Sequence, residues 1–481
     1  MDSEKTVLDP VFVVNGRERG LPWILHALED GRRLQFDHLR PHQEHAWHLF
    51  LVQTAAMLGP TDDWDALLRT EGEIWNVHPE PGECGFFQPA GRIEDGYKKQ
   101  TYLEKEDIPG ISTNHRAKAH LPSALDYWLY VLIAAQTISR HYTHHRQSIR
   151  TSDGYGDRPY VSKVRGLSWP ERFHSDVSLA RSMHGDKEGT RFLWAELEKT
   201  DFFGDESRIS FSDCHPLVVD SCRPYRMQDG ILYYKAGWPN EPLETDIGDL
   251  HDRLDDPWLP IDTTDDHTTK RTQRSGFTYR VVQKYLAGGD IKTPSLQREF
   301  GVDCYFIAQT IAGGKGASQG IHHRVVKLPA DLSDDLFPSG DTFATRSEQY
   351  VAVASTVKKQ LLTFPLVALF GRTNDDNSDV ALIERMMKDE NLNVTPRYSE
   401  YLNRYESRVD RAFFPHLFDH ADEETGVERW KNRLCDTAGE LFEEALASCR
   451  DWQQKTEADT LFRSRIHNLR SHELDASGVS N

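Results

Sequence analysis

The sequence predicts an α+β fold: a large mixed α/β N-terminal globular domain over 1–338, followed by a C-terminal four-helix bundle over 339–481. Three observations carry that expectation. Residues 1 to 338 mix short strand-like runs with helices and many Gly and Pro turns. Near Pro338-Ser339-Gly340 the character changes to helix alone. Beyond that point come four amphipathic stretches, which bury their apolar stripes most simply against one another.

The elements follow from spacing. Leu125, Trp128, Leu129, Leu132 and Ile133 fall at i, i+3, i+4, i+7 and i+8, predicting a helix over 123–138. A second helix is expected over 42–58, with Pro41 suited to its first turn. Of the four C-terminal helices, the first covers 343–364 and ends near Pro365. The next covers 398–413 on Tyr398, Tyr401, Leu402, Tyr405, Val409, Ala412 and Phe413. The third covers 428–447 on Trp430, Leu434, Ala438, Leu441, Phe442 and Ala445, and the last covers 457–471. The tail after Ser471 is expected to fray.

Composition narrows the class. The 481 residues are 38% hydrophobic and 28% charged, which reads as folded, and the length suits two or three domains. Met1-Asp2-Ser3-Glu4-Lys5 lacks the basic region and apolar core of a signal peptide. No apolar run reaches the ~20 residues of a membrane helix, the best lying around Leu125–Ile138. A secreted, membrane-spanning or collagen-like protein is therefore not expected. The six cysteines at 84, 214, 222, 304, 435 and 449 form no C-x-x-C pair, which suits reduced thiols in a cytoplasmic protein. Cys214, His215 and Cys222 lack the second ligand pair of a zinc ribbon.

A net charge of −19 argues against a nucleic-acid partner until it is divided by position. Residues 140–172 carry +4 and residues 270–327 carry +7, leaving −30 elsewhere. The stretch 241–266 alone holds ten acids against Arg253. Local potential, not net charge, steers phosphates. Arg146, Arg150, Arg158 and Lys163 in the first tract are therefore candidate phosphate contacts, set against the plain reading of a solvated face.

Within the tracts lie two glycine-bearing segments. Asp153-Gly154-Tyr155-Gly156-Asp157-Arg158-Pro159 is a tight loop whose glycines allow close backbone approach to a ligand. Gly313 to Gly320 follows a strand-like run, Tyr305–Ile311. It lacks the Gly-Lys-Ser/Thr of a phosphate-binding P-loop and the βαβ setting of a dinucleotide fingerprint. A protruding hairpin, basic at Lys315 and carrying one amide at Gln319, fits it best. His42, His45 and His48 share a helical face without an H-E-x-x-H motif, so packing or capping is the expectation and a metal site the alternative. His141, His144 and His145 suit either a helix C-terminus or phosphate. His251-Asp252 and Asp419-His420-Ala421-Asp422 lack the partner histidines of a dinuclear nuclease, and no catalytic constellation stands out.

Taken together, several segments resemble the CasA family, the large subunit of the type I-E CRISPR surveillance complex Cascade. They are Leu39-Arg40-Pro41-His42-Gln43-Glu44-His45-Ala46-Trp47-His48, Gly85-Phe86-Phe87-Gln88-Pro89, Ser112-Thr113-Asn114-His115, Asp153 to Pro159, Asp256-Pro257-Trp258-Leu259-Pro260, Gly313 to Arg324, and the terminal bundle. They stand in the family's order and span nearly the whole chain.

The resemblance implies a non-enzymatic subunit without a cofactor. Its implied role is to recognise the protospacer-adjacent motif in duplex DNA from the minor groove, to help open the duplex for R-loop formation, and to present target DNA to a recruited helicase–nuclease. Implied partners are the other Cascade subunits, the guide crRNA, double-stranded target DNA and that nuclease, with no membrane. Sequence readout is then delegated to RNA–DNA pairing. By position, Gly154, Tyr155 and Gly156 would form the glycine loop. Asn114, with His115 and Arg116, would form a first recognition loop. Gln319 would be a wedge beside Lys315, and Lys235 a lysine finger. The opening Asp9-Pro10-Val11-Phe12-Val13 departs from the family's Trp-Ile-Pro. The alternative reading is a metal-dependent nuclease or phosphohydrolase using the histidine clusters.

Overall fold

A computed structural model describes residues 5–99, 124–138, 158–196, 213–221, 224–229, 231–235, 256–264, 272, 275–314, 317–330, 336, 342–370 and 396–471. The chain begins with a hairpin of β1 (Phe12–Val14) and β2 (Arg17–Arg19). Asn15 and Gly16 close it, both with positive φ, which is the backbone a two-residue hairpin turn demands. Helices α1 (Leu21–Glu29), α2 (Glu44–Leu58) and α3 (Trp64–Arg69) follow. The Trp64 indole donates to Glu29 at 2.7 Å and ties α3 to α1. Pro41 lies in the turn before α2 rather than in its first turn, because Gln43 occupies the N-cap.

Next come β3 (Tyr97–Lys99), α4 (Leu125–Thr137), β4 (Tyr160–Val164) and α5 (Trp169–His184). The apolar face of α4 is fixed by a buried carboxylate. Asp126 accepts the Val13 N–H at 3.0 Å and meets His38 Nδ1 at 2.8 Å, joining the helix to β1. Helix α5 opens with a capping box, in which Glu171 accepts the Ser168 N–H at 3.1 Å. Gly166 lies flat against that carboxyl, where a Cβ would meet it at 2.2 Å.

The remaining elements of this half are short. They are β5 (Thr190–Phe192), α6 (Leu193–Glu196), β6 (Cys214–Val219), β7 (Tyr225–Gln228), β8 (Ile231–Lys235), β9 (Ile261–Asp262), helix α7 (Tyr279–Ala287) and β10 (Ile291–Lys292). A long hairpin then forms from β11 (Cys304–Gly314) and β12 (Ala317–Leu328). Sheet orders are β12-β11-β4 and β3-β8-β7, with two-stranded pairs β1-β2, β5-β6 and β9-β10. Their core is aromatic: Phe87 stacks on Trp194 at 4.3 Å, and Trp47 packs against Phe12, Phe36, Phe50 and Tyr130.

Among the described residues, four long helices follow. They are α8 (Phe343–Phe370), α9 (Pro396–Asp419), α10 (Gly426–Ser448) and α11 (Trp452–Ser471). Tyr350, Phe413 and Trp430 form their centre, and Phe442 stacks on Phe462 at 4.4 Å. Helix α8 does not stop near Pro365. A π-helical turn over Lys358–Thr363 accommodates the proline, whose missing N–H and bulky ring break an ordinary α-helical ladder, and the helix continues to Phe370. Extended in this way, α8 is by length and composition apolar enough to cross a membrane, contrary to the expectation from apolar runs; 61% of its apolar window is buried in the fold.

The described residues divide into two compact units, one of residues 1–277 and 290–330 and the other of 278–289 and 331–481. This differs from the expected division at 338 chiefly because α7 belongs with the bundle. The Tyr279 N–H donates to Asp410 at 2.6 Å, Arg280 to the Ser355 hydroxyl at 2.9 Å, and Gln283 to the Ser347 hydroxyl at 3.0 Å. The five described cysteines are buried.

Candidate nucleic-acid interface

The β12-β11-β4 sheet is the frame of the site. Strand β11 pairs with β12 from Cys304↔Leu328 to Gly314↔Ala317, so the hairpin foreseen over Gly313–Gly320 is present. The register passes from Ala312↔Gly320 to Gly313↔Ser318, which makes Gln319 the extra residue of a bulge. Bulges twist a strand and re-aim what it carries. Gly320, at φ +134, supplies a backbone geometry that side chains rarely adopt. Beyond it, Ile321 is 39% exposed, an unusual place for a large aliphatic group. Lower on the stem, Gly276 abuts the His322 ring closely enough that a Cβ would meet it at 2.3 Å.

On its other side β11 pairs with β4, from Gln309↔Tyr160 to Tyr305↔Val164. The strands are antiparallel, so the chain enters β4 at the end of the sheet toward the hairpin tip. The outer edge of β4 is held by the Asp256–Pro260 segment and by Ser295: the Val161 N–H donates to the Trp258 carbonyl at 3.0 Å, and the Ser295 hydroxyl donates to the Val161 carbonyl at 2.7 Å.

Beneath this sheet lies a buried polar network. Asp176 on α5 is wholly enclosed. One of its oxygens accepts the Tyr160 hydroxyl at 2.6 Å and meets His48 Nε2 at 2.8 Å, while the other accepts the Ser162 hydroxyl at 2.6 Å. Burial alone would raise this carboxyl, but the hydrogen bonds from His48, Ser162 and Tyr160 outweigh it and hold Asp176 below the usual carboxylate range. Burial, with the charge of Arg172, pushes His48 down, so the pair rests as carboxylate and neutral imidazole. One turn earlier on α2, Glu44 pairs with Arg172. Burial opposes its charge, yet Arg172, His323 and a hydrogen bond from Gln309 keep it below the ordinary value.

This arrangement revises several sequence expectations. Arg158 and Lys163 are buried, 5% and 6% exposed, and thus do not present charge to an external phosphate. Arg172 is also internal, whereas Arg165 is exposed and lies over the Phe300 ring at 5.3 Å. The positive tract 140–172 is therefore largely a set of core cations in its described part. In the other tract, Arg280 belongs to the bundle unit, 3.7 Å from Glu406. His42, His45 and His48 are all buried, which fits packing, and among the described residues no group of three or more His, Cys, Asp or Glu side chains could hold a metal ion.

Of the remaining candidates, Lys235 ends β8 opposite Tyr97, in a different sheet from the hairpin. Asn114, His115, Arg116, Arg146, Arg150, Gly154, Tyr155, Gly156 and Lys315 lie outside the described residues, as do His141, His144, His145 and His251-Asp252. Sequence reasoning missed Asp176, Tyr160 and Ser162. The available signal was a carboxylate set on the buried face of α5, between Phe173, Val177 and Ala180.

An α+β unit whose long bulged hairpin is clamped to two core helices, with a helical bundle at the C-terminus, defines the class of fold. It is the CasA (Cse1) fold. The CasA structure of Thermus thermophilus aligns with a TM-score of 0.65 at 13% identity, over 97% of this chain and 99% of that one. Thermobifida fusca Cse1 aligns at 0.61 and 14%, over 98% of each chain. The CRISPR-associated protein Cse1 of Acidimicrobium ferrooxidans aligns at 0.57 and 13%, again over 98% of each chain. No protein-family model matches the sequence, and no curated protein matches it.

Proposed function

We propose that this chain is the large subunit of a type I-E Cascade complex and acts without catalysis in cytoplasmic antiviral defence. In this reading it recognises a protospacer-adjacent motif in duplex DNA from the minor groove and begins strand separation beside the guide RNA. It then presents the target to a recruited helicase–nuclease. The observation that supports the reading most is the bulged hairpin bearing Gln319, set in a fold that matches CasA structures from end to end.

The proposed roles follow the chemistry of each residue type. Gln319 enters at the junction of duplex and unwound DNA, because a bulged amide can replace the hydrogen bonds of a base that it displaces. The loop of Gly154, Tyr155 and Gly156 approaches the groove floor, where any Cβ would be obstructive. Asn114, flanked by His115 and Arg116, reads base edges. Minor-groove patterns are degenerate, which suits tolerance of several motifs. Arg146, Arg150 and Lys315 meet phosphates, and Lys235 follows the duplex as a finger from its own sheet.

The decisive experiment uses the assembled complex on a motif-bearing duplex. Gln319→Ala should leave complex assembly intact and slow strand opening, and Gly154→Leu should abolish target binding. Normal opening and binding by both variants would sink the proposal. DNA cleavage by the purified chain with Mg²⁺ or Mn²⁺, lost in His42→Ala/His45→Ala, would replace it with the nuclease reading.

A further inference from the structure

The buried network under the hairpin has no role in the reading above, and its geometry is that of a register lock. We infer that Asp176 is a positioning residue which, through the Tyr160 and Ser162 hydroxyls, fixes where β4 starts against the hairpin stem. It thereby sets the spacing between the hairpin and the N-terminal end of β4. The inference rests on the proposed DNA-opening role and deepens it.

Four observations support it. Tyr160 and Ser162 are two apart on one strand, so their side chains share a face, and both reach the same carboxylate at 2.6 Å. A slip of β4 by one residue would turn that face away and leave a buried charge without its donors, so the contact specifies register strongly. Second, Tyr160 pairs with Gln309 and Ser162 with Ile307, five residues of ladder being the whole of β4's pairing to the hairpin. A ladder that short needs help to hold one register. Third, the hairpin side is tied to the same two helices. Glu44 takes a hydrogen bond from Gln309 on β11 and pairs with Arg172, one turn of α5 before Asp176. Fourth, α5 also grips the neighbouring backbone: the Ser175 hydroxyl accepts the Arg165 N–H at 3.1 Å, and the Ser175 carbonyl accepts from Arg298. A buried charge network is a poor source of net stability compared with apolar packing, but it distinguishes one register from its neighbours.

The test is Tyr160→Phe/Ser162→Ala in the full complex, with strand opening followed by 2-aminopurine fluorescence at the first target pair. Two duplexes are compared, one fully paired and one mismatched over its first pairs and hence already open. The double variant should enter the complex and bind the pre-opened target as the wild type does. It should open the paired target about tenfold more slowly, since part of the two hydrogen bonds it loses to a charged acceptor is felt in opening. Ser162→Thr, which keeps the hydroxyl, should behave as wild type. Should the double variant fail to fold, Tyr160→Phe alone carries the same comparison with an expected loss of about threefold, part of one such bond. Equal loss on both targets, or unchanged opening of the paired one, overturns the inference. Gln319→Ala separates the two levels: if it blocks opening while the double variant opens normally, only the register lock fails. If Gln319→Ala also opens normally, the reading of the hairpin itself fails.

Discussion

The two units bury charge to different extents, the bundle unit enclosing Arg346 and Lys431 and the unit that carries the hairpin many more. In the unit that carries the hairpin, charged side chains go inside: Asp176, Arg172 and Arg158 are within the fold, and the sheet is held through Asp176. In the bundle unit, ion pairs mostly stay at the surface, such as Arg408–Glu440 at 2.7 Å and Arg463–Asp459 at 2.8 Å, over a centre of Tyr350, Phe413 and Trp430. A bundle is specified by its apolar stripes, so it tolerates a generic centre. A short three-stranded sheet has many near-equivalent registers, and directional contacts choose among them. Precision is thus concentrated under the hairpin rather than along the bundle.

That contrast can be broken by substitution. Asp176→Ala leaves the buried Tyr160, Ser162 and His48 without their shared acceptor, and should destabilise the hairpin unit by about 3–5 kcal/mol. Trp430→Ala should cost the bundle a similar ~3–5 kcal/mol, through its cavity and the lost indole hydrogen bond to the Tyr350 carbonyl. Hydrogen exchange resolved by segment is the measurement. The contrast fails if either substitution loosens both units equally.

Acid sharpens the comparison. In the bundle, burial pushes His416 down to about 4, with the neighbouring His420 adding to the effect. The folded unit therefore resists a proton that the unfolded chain accepts near its ordinary value, so stability falls as pH drops from about 6.5 to about 4. His416→Leu should flatten that part of the acid-unfolding curve, and an unchanged slope would show that His416 does not drive it. In the other unit Asp176, held low, contributes stability above the unfolded carboxylate range and loses it only as pH falls below that range. The smallest effect expected is from Arg408→Ala, which removes an exposed pair and should cost less than about 1 kcal/mol by chemical denaturation.

Much of the helical architecture was legible in advance. Helices 123–138, 398–413, 428–447 and 457–471 each lie within or close to an observed helix, because a 3.6-residue period is a local property. The hairpin over Gly313–Gly320 was legible for the same reason. Within the basic tract Arg158 and Lys163 turn inward, which a charge count does not reveal because it does not say which side a side chain faces. Two of the described segments that carried the resemblance are packing elements. Phe86, Phe87 and Gln88 are wholly buried, with Gln88 bonded to Val77 and Met227, and Trp258 supports β4.

Sequence alone determined the fold class, the bundle helices and the hairpin, since periodicity and turn chemistry act between neighbours in the chain. Only tertiary structure decided that α7 joins the bundle, that Arg158 and Lys163 lie inside, that Gln319 is the bulged residue, and that Asp176 meets Tyr160 and Ser162. The last of these brings His48 to Asp176 across 128 residues of chain. Contacts between such distant residues depend on how whole elements pack, and no local pattern encodes that.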